Sequence, residues 1–278
     1  MARRQHIPKA LTVAGSDSGG GAGIQADLKT FAALGVYGTS AITAITAQNT
    51  LGVTRVQALA PVMVKAQIDA IMSDIGADAV KTGMLANAAI VRAVAAKIRE
   101  HGFKAIVVDP VMLAASGARL LVEEAVESYK RELFPLATIV TPNVPEAEVL
   151  AGMTIKSASD QKEAARVLKR LGPRYVIVKG GHLTGRDSLD LLFDGRKFIE
   201  FRAARIATRN NHGTGCTFAS AIAAGLAHGR SVEDSVLTAK HYVHEAIRTA
   251  FSVGEGHGPL NHFHAFWDAE PGSKGDPV

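Results

Sequence analysis

Short apolar runs of strand length alternate along the chain with windows whose apolar positions recur at helical spacing. The runs at 10–16, 40–47, 53–59, 79–81, 105–109, 138–141 and 175–179 read as strands. The windows at 24–34, 62–73, 87–100, 123–132, 145–150, 160–171, 215–228 and 232–251 read as helices. Strands taking turns with helices predict an α/β architecture whose mostly parallel sheet is covered on both faces. Two more strands, 188–193 and 197–202, flank Asp194 and Gly195, a pair suited to a primed two-residue hairpin turn. No linker rich in Pro, Gly or Ser and no repeat of 20 to 50 residues interrupts this rhythm, which predicts one domain over 1–278 with frayed ends at 1–8 and 270–278.

Composition narrows the picture without changing it. With 278 residues, 47% of them hydrophobic, the chain is long enough to bury about 75% of its unfolded surface and needs no covalent staple. Its single cysteine, Cys216, excludes an internal disulfide framework and a multi-cysteine metal site, and suits a reducing cytoplasm. Lys and Arg number 31 against 26 Asp and Glu, a net +5, but the signs are interleaved, which argues against nucleic acid as a partner. No apolar run approaches the ~20 residues of a membrane span, and the basic start has no secretory apolar segment behind it, so no membrane is expected.

Five segments carry candidate chemistry, four of them at strand ends. The glycine-rich turn from Gly15 to Gly23 follows the first strand and opens a helix; it lets backbone amides approach a ligand, or simply makes a tight turn. It lacks the register of a dinucleotide fingerprint and the Lys-Ser/Thr of a Walker A loop. The run Gly213, Thr214, Gly215 and Cys216 opens another helix, whose unpaired amides and positive dipole end suit a phosphate. A thiol there should have its pKa lowered, although a lone Cys is also a common core filler. Asn143 and Glu146, three apart at the sixth strand's end, are hard oxygen donors for magnesium or else a helix capping pair. Lys179, running into Gly180, Gly181 and His182, offers a compact charge to phosphate, and Asp109 before Pro110 stands where acids of α/β sheets are often functional. The histidines at 257, 262 and 264 lack the spacing of a metal site.

Taken jointly, the runs 14–29, 43–50, 81–85, 141–143 and 212–217 resemble the hydroxymethylpyrimidine/phosphomethylpyrimidine kinases of the ribokinase-like superfamily, and the likeness spans about residues 10–251 with the tail 256–267. The resemblance implies a three-layer α/β/α sandwich with a mostly parallel central sheet, ATP and Mg2+ as cofactors, and a cytoplasmic homodimer. It implies transfer of the ATP γ-phosphoryl group to 4-amino-5-hydroxymethyl-2-methylpyrimidine, then to the resulting monophosphate, on the way to thiamine diphosphate. It places the pyrimidine by Gly15, Asp27, Gln48 and Met84, with Gln48 on the ring edge. The transferring phosphoryl group falls to Gly213, Thr214, Gly215 and Cys216, the nucleotide phosphates to Lys179 and Asn143, and the metal to Glu146 with Asp109. Sugar kinases of the superfamily carry Asp where this chain has Cys216, and many relatives carry Thr where it has Asn211. Cys216 is expected to take the substrate's hydroxyl proton in the first transfer. The rival readings are a pyridoxal kinase on the same scaffold, a binding protein that has lost catalysis, and a dinucleotide oxidoreductase.

Overall fold

The computed structural model describes residues 6–112, 123–181, 183 and 185–267. Of the positions singled out above, His182 and the tail segments 1–5 and 270–278 lie outside the described residues. The first half comprises β1 (Lys9–Asp17), α1 (Gly23–Ala33), β2 (Tyr37–Gln48), β3 (Val53–Ala58), α2 (Pro61–Asp74), β4 (Ala79–Thr82), α3 (Ala88–His101) and β5 (Ile106–Val108). The second comprises α4 (Glu123–Ser128), β6 (Ile139–Val140), α5 (Val144–Ala151), α6 (Ala158–Lys169), β7 (Tyr175–Lys179), β8 (Asp187–Phe193), β9 (Phe198–Ala204), α7 (Thr214–Ala227) and α8 (Val232–Arg248).

The nine strands form one sheet in the order β3-β2-β1-β4-β5-β6-β7-β8-β9. From β2 to β7 neighbours run parallel, and β3, β8 and β9 join antiparallel at the edges. Both faces are covered, which is why the central strands are apolar runs rather than alternating ones. β1 sends Leu11 and Val13 into a core shared with α2 through α6, and Ala10 into a second core shared with α1, α7 and α8. The result is the α/β/α sandwich that the resemblance implies. No helix among the described residues is long and apolar enough to cross a membrane.

Two local expectations shift. The hairpin turn is centred one residue late: Asp194 approaches the Lys197 carbonyl at 3.4 Å, Gly195 takes φ +103°, and the Asp194 carboxylate accepts from the amides of Arg196 and Lys197. The helix expected over 123–132 is α4 followed by a wider π-type turn, Tyr129–Leu133, in which the buried Tyr129 hydroxyl donates to the Gly83 carbonyl at 2.9 Å. That bond ties the turn to the segment following β4.

Candidate active site

Parallel strands present their carboxyl ends to one edge of the sheet, and ligands of α/β proteins gather there. A cleft of about 940 Å³ occupies that edge, lined by the ends of β1, β2 and β7, the segments after β4, β5 and β6, and the start of α7. Gly15, Gln48, Met84, Asp109, Asn143, Glu146, Lys179, Gly213, Thr214, Gly215 and Cys216 all line it.

The α7 end is built on glycine. Gly213 has φ +84°, a conformation ordinary side chains resist, and a Cβ there would collide with the Gly21 carbonyl of the first glycine-rich turn. The two turns therefore meet only because both lack side chains. Among the described residues no side chain caps α7, and its first bond of helical spacing runs from Thr217 to Gly213. The amides of Gly215 and Cys216 precede that bond and are left at the cleft wall for an anion.

Beside them stands a chain of charges. Lys179 Nζ donates to Asp109 Oδ1 at 3.1 Å, Thr141 Oγ1 donates to the same oxygen at 2.8 Å, and a Cβ on Gly215 would lie 3.3 Å from that Nζ. Burial opposes the Lys179 charge, but the Asp109 and Glu146 carboxylates more than offset it and hold its pKa above the ordinary value. Glu146 is buried, and burial pushes its carboxyl up to about 7, Lys179 opposing the shift and Asp109 adding to it. Asn143 and Glu146 also form the capping pair weighed above. Asn143 Oδ1 accepts from the Glu146 amide at 2.9 Å, and Glu146 Oε2 accepts from the Asn143 amide at 2.8 Å.

At the other end, Gly15 and Met84 touch so closely that a Cβ on Gly15 would collide with the Met84 methyl. Gln48 stands next to them on β2, and its side-chain amide lies 3.1 Å from His212 Nε2. That imidazole atom also lies 2.9 Å from Asp17 Oδ2. Burial alone would raise the Asp17 carboxyl, but hydrogen bonds from His212 and from the Ala22 and Gly19 amides more than offset it and hold its pKa below the ordinary value.

Two expectations are corrected. Asp27 does not line the cleft: it is fully buried beneath it, paired with the equally buried Lys81 at 2.9 Å and accepting from Thr12 Oγ1 and Ser220 Oγ at 2.6 Å each. Its place one turn into α1 points it at the sheet, so its bonding capacity is spent inside the fold. Cys216 does lie at the helix start, partly open to the cleft, but its pKa moves the other way from the one expected. Burial pushes the thiol up to about 11; Lys81 acts against the shift, and Asp27 and Asp109 add to it. A hydrogen bond from the Gly23 amide also opposes the rise without cancelling it.

Sequence reasoning missed a second ion pair. Lys240 of α8 meets Asp190 of β8 at 2.7 Å, and Asp190 Oδ1 accepts from the Gly180 amide at 3.0 Å, fixing the backbone just after Lys179. Arg205 donates to the carbonyls of Gly180 and Gly181 in the same segment. None of the three sits in a motif: the β7–β8 pairing sets Asp190 beside Lys179, while Lys240 comes from α8 and Arg205 from just past the end of β9. The pairing of Asp17 with His212 was missed as well, although both lie within quoted motifs, because 195 positions separate them.

The phosphomethylpyrimidine kinase family pattern matches residues 17–261. The chain is 53% identical over 258 residues to the hydroxymethylpyrimidine/phosphomethylpyrimidine kinase of Bacillus subtilis, covering 92% of this chain and 95% of that one. It is 54% identical over 268 residues to a thiamine biosynthesis bifunctional protein of Geobacter sulfurreducens, covering 96% of this chain and 55% of the longer protein. Among solved structures, an ADP complex of Bacillus subtilis pyridoxal kinase superposes with a TM-score of 0.88 at 39% identity, over 94% of this chain and 99% of that chain.

Proposed function

The chain belongs to the phosphomethylpyrimidine kinase family, and from that premise we propose how its cleft passes the ATP γ-phosphoryl group to 4-amino-5-hydroxymethyl-2-methylpyrimidine and then to the monophosphate. The observation that carries the reading is the meeting of an uncapped α7 start with Lys179 at the carboxyl edge of the sheet. Phosphoryl transfer demands little covalent chemistry from the protein beyond alignment and neutralisation of charge. The Gly213–Cys216 amides receive the γ-phosphoryl oxygens, and Lys179 with Asn143 serves the nucleotide phosphates. The substrate's hydroxymethyl oxygen bonds to the γ-phosphorus as the bond to the bridging oxygen of ADP breaks. In the first transfer the hydroxyl proton passes to the Cys216 thiolate, the minor form at neutral pH, which becomes the neutral thiol. In the second the acceptor is already an anion and has no such need.

Asp109 and Glu146 are the residues to hold Mg2+. Both are hard oxygen donors, and two carboxylates buried so close that the Asp109 charge raises the proton affinity of Glu146 suit a divalent cation. When bound, the ion would neutralise phosphate charge. Gln48 pairs with the ring edge, while Gly15 and Met84 form the wall beside it. A homodimer in the cytoplasm completes the proposal; the apolar Ile45, Leu51 and Val56 that the β2–β3 arm exposes support the dimer.

Similarity to a pyridoxal kinase favours a second reading, side activity on pyridoxal. ADP release with Mg-ATP, followed separately on the hydroxymethylpyrimidine and on pyridoxal, tests both. Turnover of the pyrimidine supports the proposal, and turnover of pyridoxal alone replaces it with the second reading.

A further inference from the structure

The amide of Gln48 can be set in either of two ways, and its neighbours decide between them. Amide oxygen and nitrogen have the same shape, so only hydrogen-bond partners distinguish them. Asp17 is an ionised carboxylate that can only accept, and its Oδ2 lies 2.9 Å from His212 Nε2. His212 therefore carries its proton on Nε2. With Gln48 Nε2 placed 3.1 Å from that atom, an amide N–H faces an imidazole N–H. Thr46 Oγ1 tells the same story at the amide's other end. It donates its single proton to the Ser16 carbonyl at 2.9 Å, which leaves only a lone pair for the amide atom 3.2 Å away. Turning the amide by 180° removes both conflicts: Oε1 shares the single Nε2–H of His212 with Asp17 Oδ2 in a three-centre bond, and Nε2 donates to Thr46. The Thr46 hydroxyl can rotate, whereas the His212 ring is held by Asp17 and packed on Gly21, where a Cβ would lie 2.5 Å from the ring. The imidazole thus decides.

We propose that His212, pinned by Asp17, is a specificity-determining positioning residue: it fixes the amide of Gln48 so that the pyrimidine enters in one orientation, with its hydroxymethyl group aimed at Gly213–Cys216. This rests on the role given to Gln48 under the proposed function. With Oε1 on the His212 side, the substrate's 4-amino group pairs there and the adjacent ring nitrogen pairs on the Thr46 side. The hydroxymethyl group sits on the carbon next to the amino-bearing carbon, away from that nitrogen, so it lies on the His212 side. His212 immediately precedes the run that receives the phosphoryl group. The opposite amide setting reverses the ring and carries the hydroxyl away.

The test compares kcat/KM for the 4-amino substrate with that for its 4-oxo counterpart, which presents acceptor and donor in reversed order. Wild type should prefer the amino compound by about 100-fold or more, as expected where a site must hydrogen-bond its substrate. His212→Leu should reduce that preference to within about tenfold, chiefly because the 4-oxo compound gains. His212→Gln, which can still donate to Asp17, should restore it. Loss of pyrimidine turnover in Gln48→Ala checks the underlying reading on its own: an unchanged rate overturns that reading and the inference together. A Gln48→Ala defect with the preference intact in His212→Leu overturns the inference alone. If His212→Leu does not fold, nitrogen NMR of histidine-labelled wild type reads the tautomer directly. A protonated Nε2 on His212 supports the inference, and an unprotonated one overturns it.

Discussion

Replacing Lys81 by Met should cost stability on a scale that the structure sets. Lys81 and Asp27 have no exposed side-chain surface, and Lys81 Nζ lies 2.9 Å from both carboxylate oxygens. Methionine keeps roughly the length and apolar stem but leaves a buried carboxylate with two hydroxyl donors, Thr12 and Ser220, and no cation. Removing one partner of such a pair typically costs about 3–5 kcal/mol. The two hydroxyls put the expectation near the lower end, about 3 kcal/mol, and at about 2–4 °C per kcal/mol for a chain of this size that lowers Tm by about 10 °C. The double variant Lys81→Met with Asp27→Leu removes both charges and should recover much of the loss, since buried apolar replacements of ion pairs are often neutral. Calorimetric melting of the three proteins without ligand reads both effects. A single variant melting within about 2 °C of wild type, or a double variant no better than the single, would refute the assignment of Asp27 to the interior framework.

Three further outcomes follow from the cleft. Because burial holds the Cys216 thiol near 11, its thiolate is scarce at neutral pH, and scarcity eases as pH rises. The first transfer should therefore accelerate by up to about tenfold per pH unit between 7 and 9 while the second stays flat, and Cys216→Ala should slow the first by about 100-fold and the second by no more than about threefold; equal behaviour of the two transfers removes Cys216 as the base. Lys179→Met should raise KM for ATP and lower kcat by about 100-fold, the usual scale for one preorganised electrostatic partner, and a rate within threefold of wild type argues that the phosphates bind elsewhere. Asn143→Ala breaks the capping pair and should cost about 1 kcal/mol in urea unfolding, whereas no change in midpoint would show that α5 does not need its cap.

The order of strands and helices was legible because buried parallel strands and amphipathic helices leave different periods in the sequence, and the strand-end motifs were legible because the sheet gathers such ends at one edge. What escaped depends on direction and on distant partners. Asp27 follows the glycine-rich turn by four residues, and helical phase, not composition, turns it toward Lys81 rather than the cleft. Cys216 sits where a helix dipole should lower its pKa, but the packing that desolvates it comes from elements far away in sequence. The resemblance supplied the substrate and the roles of Gln48 and Cys216; spacing alone left a phosphate site with an unnamed acceptor.

The most direct test of the central claim is a time course of wild-type enzyme with Mg-ATP and 4-amino-5-hydroxymethyl-2-methylpyrimidine, with the products separated by phosphate content. The account predicts that monophosphate appears first and is then consumed as diphosphate accumulates, each step releasing one ADP. Monophosphate that accumulates without ever becoming diphosphate, or ADP release with no phosphorylated pyrimidine at all, would contradict it.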